Sequence, residues 1–101
     1  SSKVFVTGHI YGDPNTDYLM VTFGRVISGG ATTTNISGET YGLGMFNVNR
    51  EDNMSIHFLD SPSTTSAVSY YFYFKNDNNS TSVGLGHNSV GASITAMEVQ
   101  A

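Results

Sequence analysis

The sequence predicts an all-β domain, an antiparallel β-sandwich of jelly-roll type. Three observations predict the strands. Apolar residues recur with a period of two along nearly the whole chain, as strands with one buried face require. Clusters of Gly, Pro, Asn and Asp break these runs at intervals of about 10–15 residues, the spacing of short strands in a sandwich. No segment carries a 3.6-residue apolar repeat with helix caps. At 101 residues the chain is the size of one domain, spanning 1–101, and is small enough that association would add useful burial.

The elements follow in order. In the first strand Val4, Val6 and Ile10 point one way, and Gly8-His9 interrupts the run as a bulge would. Tyr11-Gly12-Asp13-Pro14-Asn15 reads as a turn, because Pro presets φ and Gly, Asp and Asn tolerate unusual backbone geometry. The second strand runs from about Tyr18 to Ser28, with Leu19, Val21, Phe23 and Ile27 on one face and Arg25 intruding on it. Gly29-Gly30 ends it, and Ala31 to Thr40 reads as a polar loop. Gly42 to Val48 is a weak strand, and Asn49 to Asn53 a charged turn. Met54, Ile56 and Phe58 alternate with Ser55 and His57 until Asp60-Ser61-Pro62 stops the strand. Ala67 to Lys75 is the strongest strand signal, followed by a turn at Asn76 to Asn79. Thr81 to His87 is short and diluted by glycine, and Ala92 to Gln100 closes the fold.

Composition excludes several functions. Only 12% of residues are charged and the net charge is −4, with Lys3, Arg25, Arg50 and Lys75 scattered singly. Such a chain offers no electrostatic footprint to nucleic acid or to an anionic membrane. The absence of cysteine excludes disulfides and thiolate chemistry. A surface built of Ser, Thr, Asn and Gly fits an extracellular or virion location. The chain begins Ser1-Ser2 without methionine, as expected of a module cut from a longer protein.

Two strands are apolar on both faces. In 68–74, Val68, Tyr70, Phe72 and Phe74 form one row and Tyr71 and Tyr73 the other. In the last strand Met97 and Val99 oppose Ile94 and Ala96. A strand of a lone sandwich buries one face, so Tyr71, Tyr73, Met97 and Val99 are expected at a subunit interface, with a local flap or loop over them, or simple partial exposure, as the alternative. Arg25 and Glu98 are charges set in apolar rows. A buried unpaired charge is costly, so they are expected to form a buried polar pair or to line a polar layer near the subunit interface, with a bulge that turns either charge to solvent as the alternative.

Phe58-Leu59-Asp60-Ser61-Pro62-Ser63-Thr64-Thr65-Ser66-Ala67-Val68-Ser69-Tyr70 and Ala92-Ser93-Ile94-Thr95-Ala96-Met97-Glu98-Val99 resemble the C-terminal head or appendage modules of phage and algal-virus fibre and surface proteins. Arg25 to Gly30 resembles the middle strand of that family less closely. The resemblance implies a trimeric jelly roll similar in plan to C1q and tumour-necrosis-factor heads, placed at the C-terminal end of a longer virion protein. It implies a non-catalytic role in holding three chains in register and in attaching to host surface polysaccharide. A monomeric carbohydrate-binding module attached to a wall-degrading enzyme is the alternative.

No enzymatic motif competes with this reading. Asp13, Asp17, Glu51, Asp52 and Asp60 lie mostly in turns, where Asp caps and bends backbone, rather than as a glycosidase pair. The loop Asp13 to Asp17 lacks an EF-hand pattern. His9, His57 and His87 match no metal spacing; on a threefold axis any one of them would meet its own copies. Neither a cofactor nor a metal is expected. Asn35, Asn53 and Asn78 begin glycosylation sequons that a chain rich in Asn, Ser and Thr contains by chance. Tyr11, Tyr18 and Tyr41 sit beside polar loops and are the candidates for stacking on a sugar.

Overall fold

The computed structural model describes residues 3–14, 18–47, 52–76, 83–85 and 92–99. Within them the chain is all-β: β1 (Lys3–Pro14), β2 (Leu19–Ile27), β3 (Thr32–Thr33), β4 (Gly44–Phe46), β5 (Asp52–Asp60), β6 (Val68–Asn76), β7 (Val83–Leu85) and β8 (Ser93–Val99). They form two four-stranded antiparallel sheets packed as a sandwich.

Both sheets are built to one plan. A long central strand pairs along one side with a full-length partner and along the other with two short strands laid end to end. In the first sheet β1 pairs with β5 from Val4 to Gly12, with β8 from Lys3 to His9 and with β7 from Gly12 to Pro14. In the second, β2 pairs with β6 over its full length, with β3 at Arg25 and Val26 and with β4 from Leu19 to Val21. Backbone bonds from Ile36 N to Phe23 O (3.0 Å) and from Leu43 N to Val21 O (2.9 Å) fill the gap between β3 and β4.

The core is the set of inward rows. Val6 and Ile10 of β1 and Ile56 of β5 meet Leu19, Val21 and Phe23 of β2 and Phe46 of β4. The rings of Phe23 and Phe72 stack with centroids 5.6 Å apart. Full burial of side chains of this size stabilises by roughly 1.5–3 kcal/mol each, so these rows fix the register. A one-residue slip would turn each row to solvent.

Two expectations about β1 are corrected by its glycines. The ladder with β5 runs without interruption through Gly8 and His9, so no bulge is present there. Gly8 faces the core, and a Cβ on it would lie 2.7 Å from Phe72 and 2.9 Å from Phe23. Gly12 likewise leaves room for the Phe46 ring, 2.6 Å from where a Cβ would be. Tyr11 to Pro14 therefore continues the strand instead of turning. Pro14 ends it, a position that proline tolerates. The polar stretch 31–40, expected as loop, contains β3 as a two-residue pairing.

Candidate functional site

At one end of the sandwich the inward rows become polar. Arg25 occupies the row of Val21, Phe23 and Ile27, and its Nη1 donates to Asp60 Oδ1 in a close ion pair. Asp60 continues the inward row of Met54, Ile56 and Phe58 and is 3% exposed. Tyr70, directly opposite Arg25 in the β2–β6 ladder, donates from its hydroxyl to Asp60 Oδ2 at 2.7 Å. Arg25 Nη2 reaches Thr33 Oγ1 at 3.5 Å. Asp60 belongs to the β1 sheet and its partners to the β2 sheet, so this cluster clamps the layers together. Burial, then the hydrogen bond to Asp60 and that carboxylate's charge, raise the Tyr70 phenol well above its ordinary range, with Arg25 pulling weakly the other way.

The expected Arg25–Glu98 pair is thus corrected: Arg25 pairs with Asp60. Glu98 lies opposite Val4 on β8, is exposed, and lines a cavity of about 460 Å³ with Val4, Val68 and Pro62. A carboxylate already in water gains little from a salt bridge, whereas one buried at the end of an apolar row requires its partner. Sequence reasoning placed Asp60 at a strand stop. Extending the alternation of Met54, Ile56 and Phe58 by two residues would have turned it inward.

The four residues expected at an interface lie on opposite sides of the molecule. Met97 and Val99 belong to the outer face of the β1 sheet. There Leu59, Phe5 and Met97 stand side by side across three strands, with Val99 next to them opposite Lys3. All four apolar side chains are exposed, Met97 by 59% and Leu59 by 48%. Farther along the same face, Phe5, Thr7, His9, Ser55, His57 and Thr95 border an open basin of about 330 Å³. From Lys3 to Tyr11 on β1, and on the β5 and β8 residues paired with that stretch, the outward residues include Lys3 and two histidines and no carboxylate.

Tyr71 and Tyr73 belong to the outer face of the β2 sheet, opposite Gly24 and Thr22. Both are half-buried within the chain itself. The Tyr71 ring occupies the space a side chain at Gly24 would fill. Patches on opposite faces of a sandwich, if joined to one another, would stack copies into an open array rather than close a ring of three. The four residues therefore do not make one surface.

The sugar-stacking candidates also separate. Tyr11 is buried, 7% exposed, and offers no open ring face. Tyr18 is exposed just before β2. Tyr41 is 59% exposed and stands in the turn Glu39–Gly42, which closes with Gly42 N donating to Glu39 O at 3.1 Å. Gly42 has φ +73°, and a Cβ there would strike the Val21 carbonyl oxygen at 2.7 Å. That turn can therefore lie tight against β2 only with glycine.

Of the other acidic residues and histidines, Asp52 and His57 are exposed and His9 is half-buried. Asp17, Glu51, His87 and Asn78, and the side chain of Asp13, lie outside the described residues. Asn35 holds a loop together through its own side chain, and Asn53 is exposed on β5. Among the described residues no three His, Asp or Glu side chains converge as a metal site would need. Compared with known proteins, the chain matches no family model, and no curated protein or solved structure is significantly similar to it.

Proposed function

We propose that this domain is a non-catalytic assembly and attachment module, the trimeric head of a viral fibre or surface appendage, bound at its working end to host surface glycan. The observation that carries the assembly part is the patch of Phe5, Leu59, Met97 and Val99 on the outer face of the β1 sheet. Scattered exposed apolar residues are ordinary, but four in adjacent ladder positions form a contiguous patch of the kind that marks an interaction site. The occupant we assign is a second copy of the chain. The chain carries a net charge of −4, yet the described outward side chains around this patch include no carboxylate, so copies meeting here avoid the repulsion they would feel elsewhere. Charge depletion at the centre and an aromatic anchor are usual in such interfaces. The fibre-head part is supported by the resemblance of 58–70 and 92–99 described above.

Light scattering on a size-exclusion column at several dilutions tests the proposal. The wild-type chain is expected at about three times its 10.8 kDa mass. Met97→Lys is expected to elute as a monomer with an unchanged circular dichroism spectrum. A wild-type chain that stays monomeric at every concentration overturns the assembly reading. It would favour the second one, a monomeric carbohydrate-binding module, which the exposed Tyr41 on the opposite side of the sandwich supports independently.

A further inference from the structure

We propose that the trough over β2 on the outer face of the second sheet is a saccharide-binding cleft that takes one ring of an acidic polysaccharide. The proposal deepens the glycan-attachment reading above and rests on it. The trough has a volume of about 190 Å³ and is lined by Thr22 below, by Tyr73 and Lys75 of β6 on one wall and by Asn35, Thr40 and Tyr41 on the other. It is smaller than the ~300–1,000 Å³ of pockets that enclose drug-sized ligands, so it suits a single unit of a longer chain.

The loop wall is preorganised. Asn35 Oδ1 accepts from Thr22 Oγ1 (2.9 Å), Ser37 N (3.1 Å) and Ser37 Oγ (2.6 Å), while its Nδ2 donates to Glu39 O (2.8 Å). Ser37 Oγ in turn accepts from Glu39 N at 3.1 Å. With the Ile36 and Leu43 backbone bonds to β2, these contacts fix the turn that carries Tyr41. Binding there therefore needs little ordering of the loop, which is where affinity for a small ligand is commonly lost. Tyr41 is held largely exposed on this fixed turn. Its ring face is negative and attracts the C–H face of a pyranose, and its hydroxyl and the neighbouring threonine can hydrogen-bond the sugar's edge.

The charge selects the class. Lys75 is the one charged side chain lining the trough, is exposed, and makes no ion pair among the described residues. A carboxylate on the sugar would meet it. A phosphopeptide would instead call for an arginine cluster, which this face does not have.

The test titrates the intact chain by calorimetry with trisaccharides of galacturonate, mannuronate and glucuronate and with neutral galactotriose. At least one acidic trisaccharide is expected to bind tenfold or more tighter than galactotriose. Lys75→Gln should remove that advantage, and Tyr41→Ala should weaken acidic and neutral sugars alike by about tenfold, both with unchanged thermal melts. Binding of no acidic trisaccharide overturns the cleft, as does binding that both variants leave intact. A glycan-array signal that survives Tyr41→Ala would keep glycan attachment and discard this cleft, whereas no signal for wild type would discard both. The mass measurement on the opposite face stands apart from either result.

Discussion

The two sheets share a plan and differ on their outer faces. Over β2, Met20 and Thr22 point outward yet are buried, 6% and 3% exposed, beneath the 34–42 loop and the β6 tyrosines. On the β1 sheet, the outward residues Phe5 of β1 and Met97 of β8 stand exposed. The middle of one outer face is covered by its own chain, and the stretch of the other around Phe5 and Met97 is not. The comparison separates what alternation means on each side. On the β2 sheet a second apolar row marks a third layer within the fold, and on the β1 sheet it marks a surface.

The largest expected effect tests whether the sheets depend on each other through the clamp. Asp60→Ala leaves Arg25 without its counter-charge and Tyr70 without its acceptor. Breaking a buried pair in this way costs about 3–5 kcal/mol, and urea denaturation should read a loss near the lower figure because Arg25 keeps some solvent access. Replacing Arg25 and Asp60 together by apolar residues of similar size should cost less than Asp60→Ala alone. A single-variant loss under about 1 kcal/mol would mean that apolar packing alone holds the layers.

Two methionines sharpen the contrast between outer faces. Met20→Ala should destabilise by about 2–3 kcal/mol, as a buried methionine does when truncated. Met97→Ala, measured at dilutions where the chain is monomeric, should stay within about 0.5 kcal/mol. Equal costs would show that the outer face of the β1 sheet is covered in solution as thoroughly as its counterpart.

Much of this architecture was legible in the chain. The inward rows of β1, β2, β5 and β6 follow from alternation, because period two is imposed by the strand itself. Which outer face is covered was not legible, because cover depends on where a distant loop lies. Ala31 to Thr40 reads as a polar loop, and nothing in its composition says that Asn35 will fold it against Thr22. The glycines misled for the same reason. Gly8 and Gly12 signal a bulge and a turn when read locally, but their role is to admit Phe72, Phe23 and Phe46 from the other sheet. Met97 and Val99 were recognisable as surface candidates because an edge strand with two apolar rows has no neighbour in sequence to hide the second. Arg25 was identifiable as an intruder, but its partner was missed because Asp60 coincides with a proline-marked stop.

An effect smaller than the losses at Asp60 and Met20 separates the hydrogen bond in the clamp from its salt bridge. Tyr70→Phe removes one donor to a charged acceptor and should cost about 1.5 kcal/mol near neutral pH. The wild-type advantage should then depend on pH with a definite sign. The folded-state phenol titrates above its ordinary range, while in the unfolded chain a tyrosine ionises near pH ~10. Below that pH both states keep the proton and the stabilisation is fully present. Above it the unfolded chain releases the proton while the folded chain retains it, so folding stability falls as pH rises. The other tyrosines and the lysines are common to both proteins, so the difference between wild type and Tyr70→Phe isolates this group. Thermal melts from pH 8 to about 11.5 should show the gap narrowing above pH ~10. A gap that stays constant across that range would mean the Tyr70 hydroxyl is hydrated in the folded state, leaving Arg25 and Asp60 to join the two sheets by themselves.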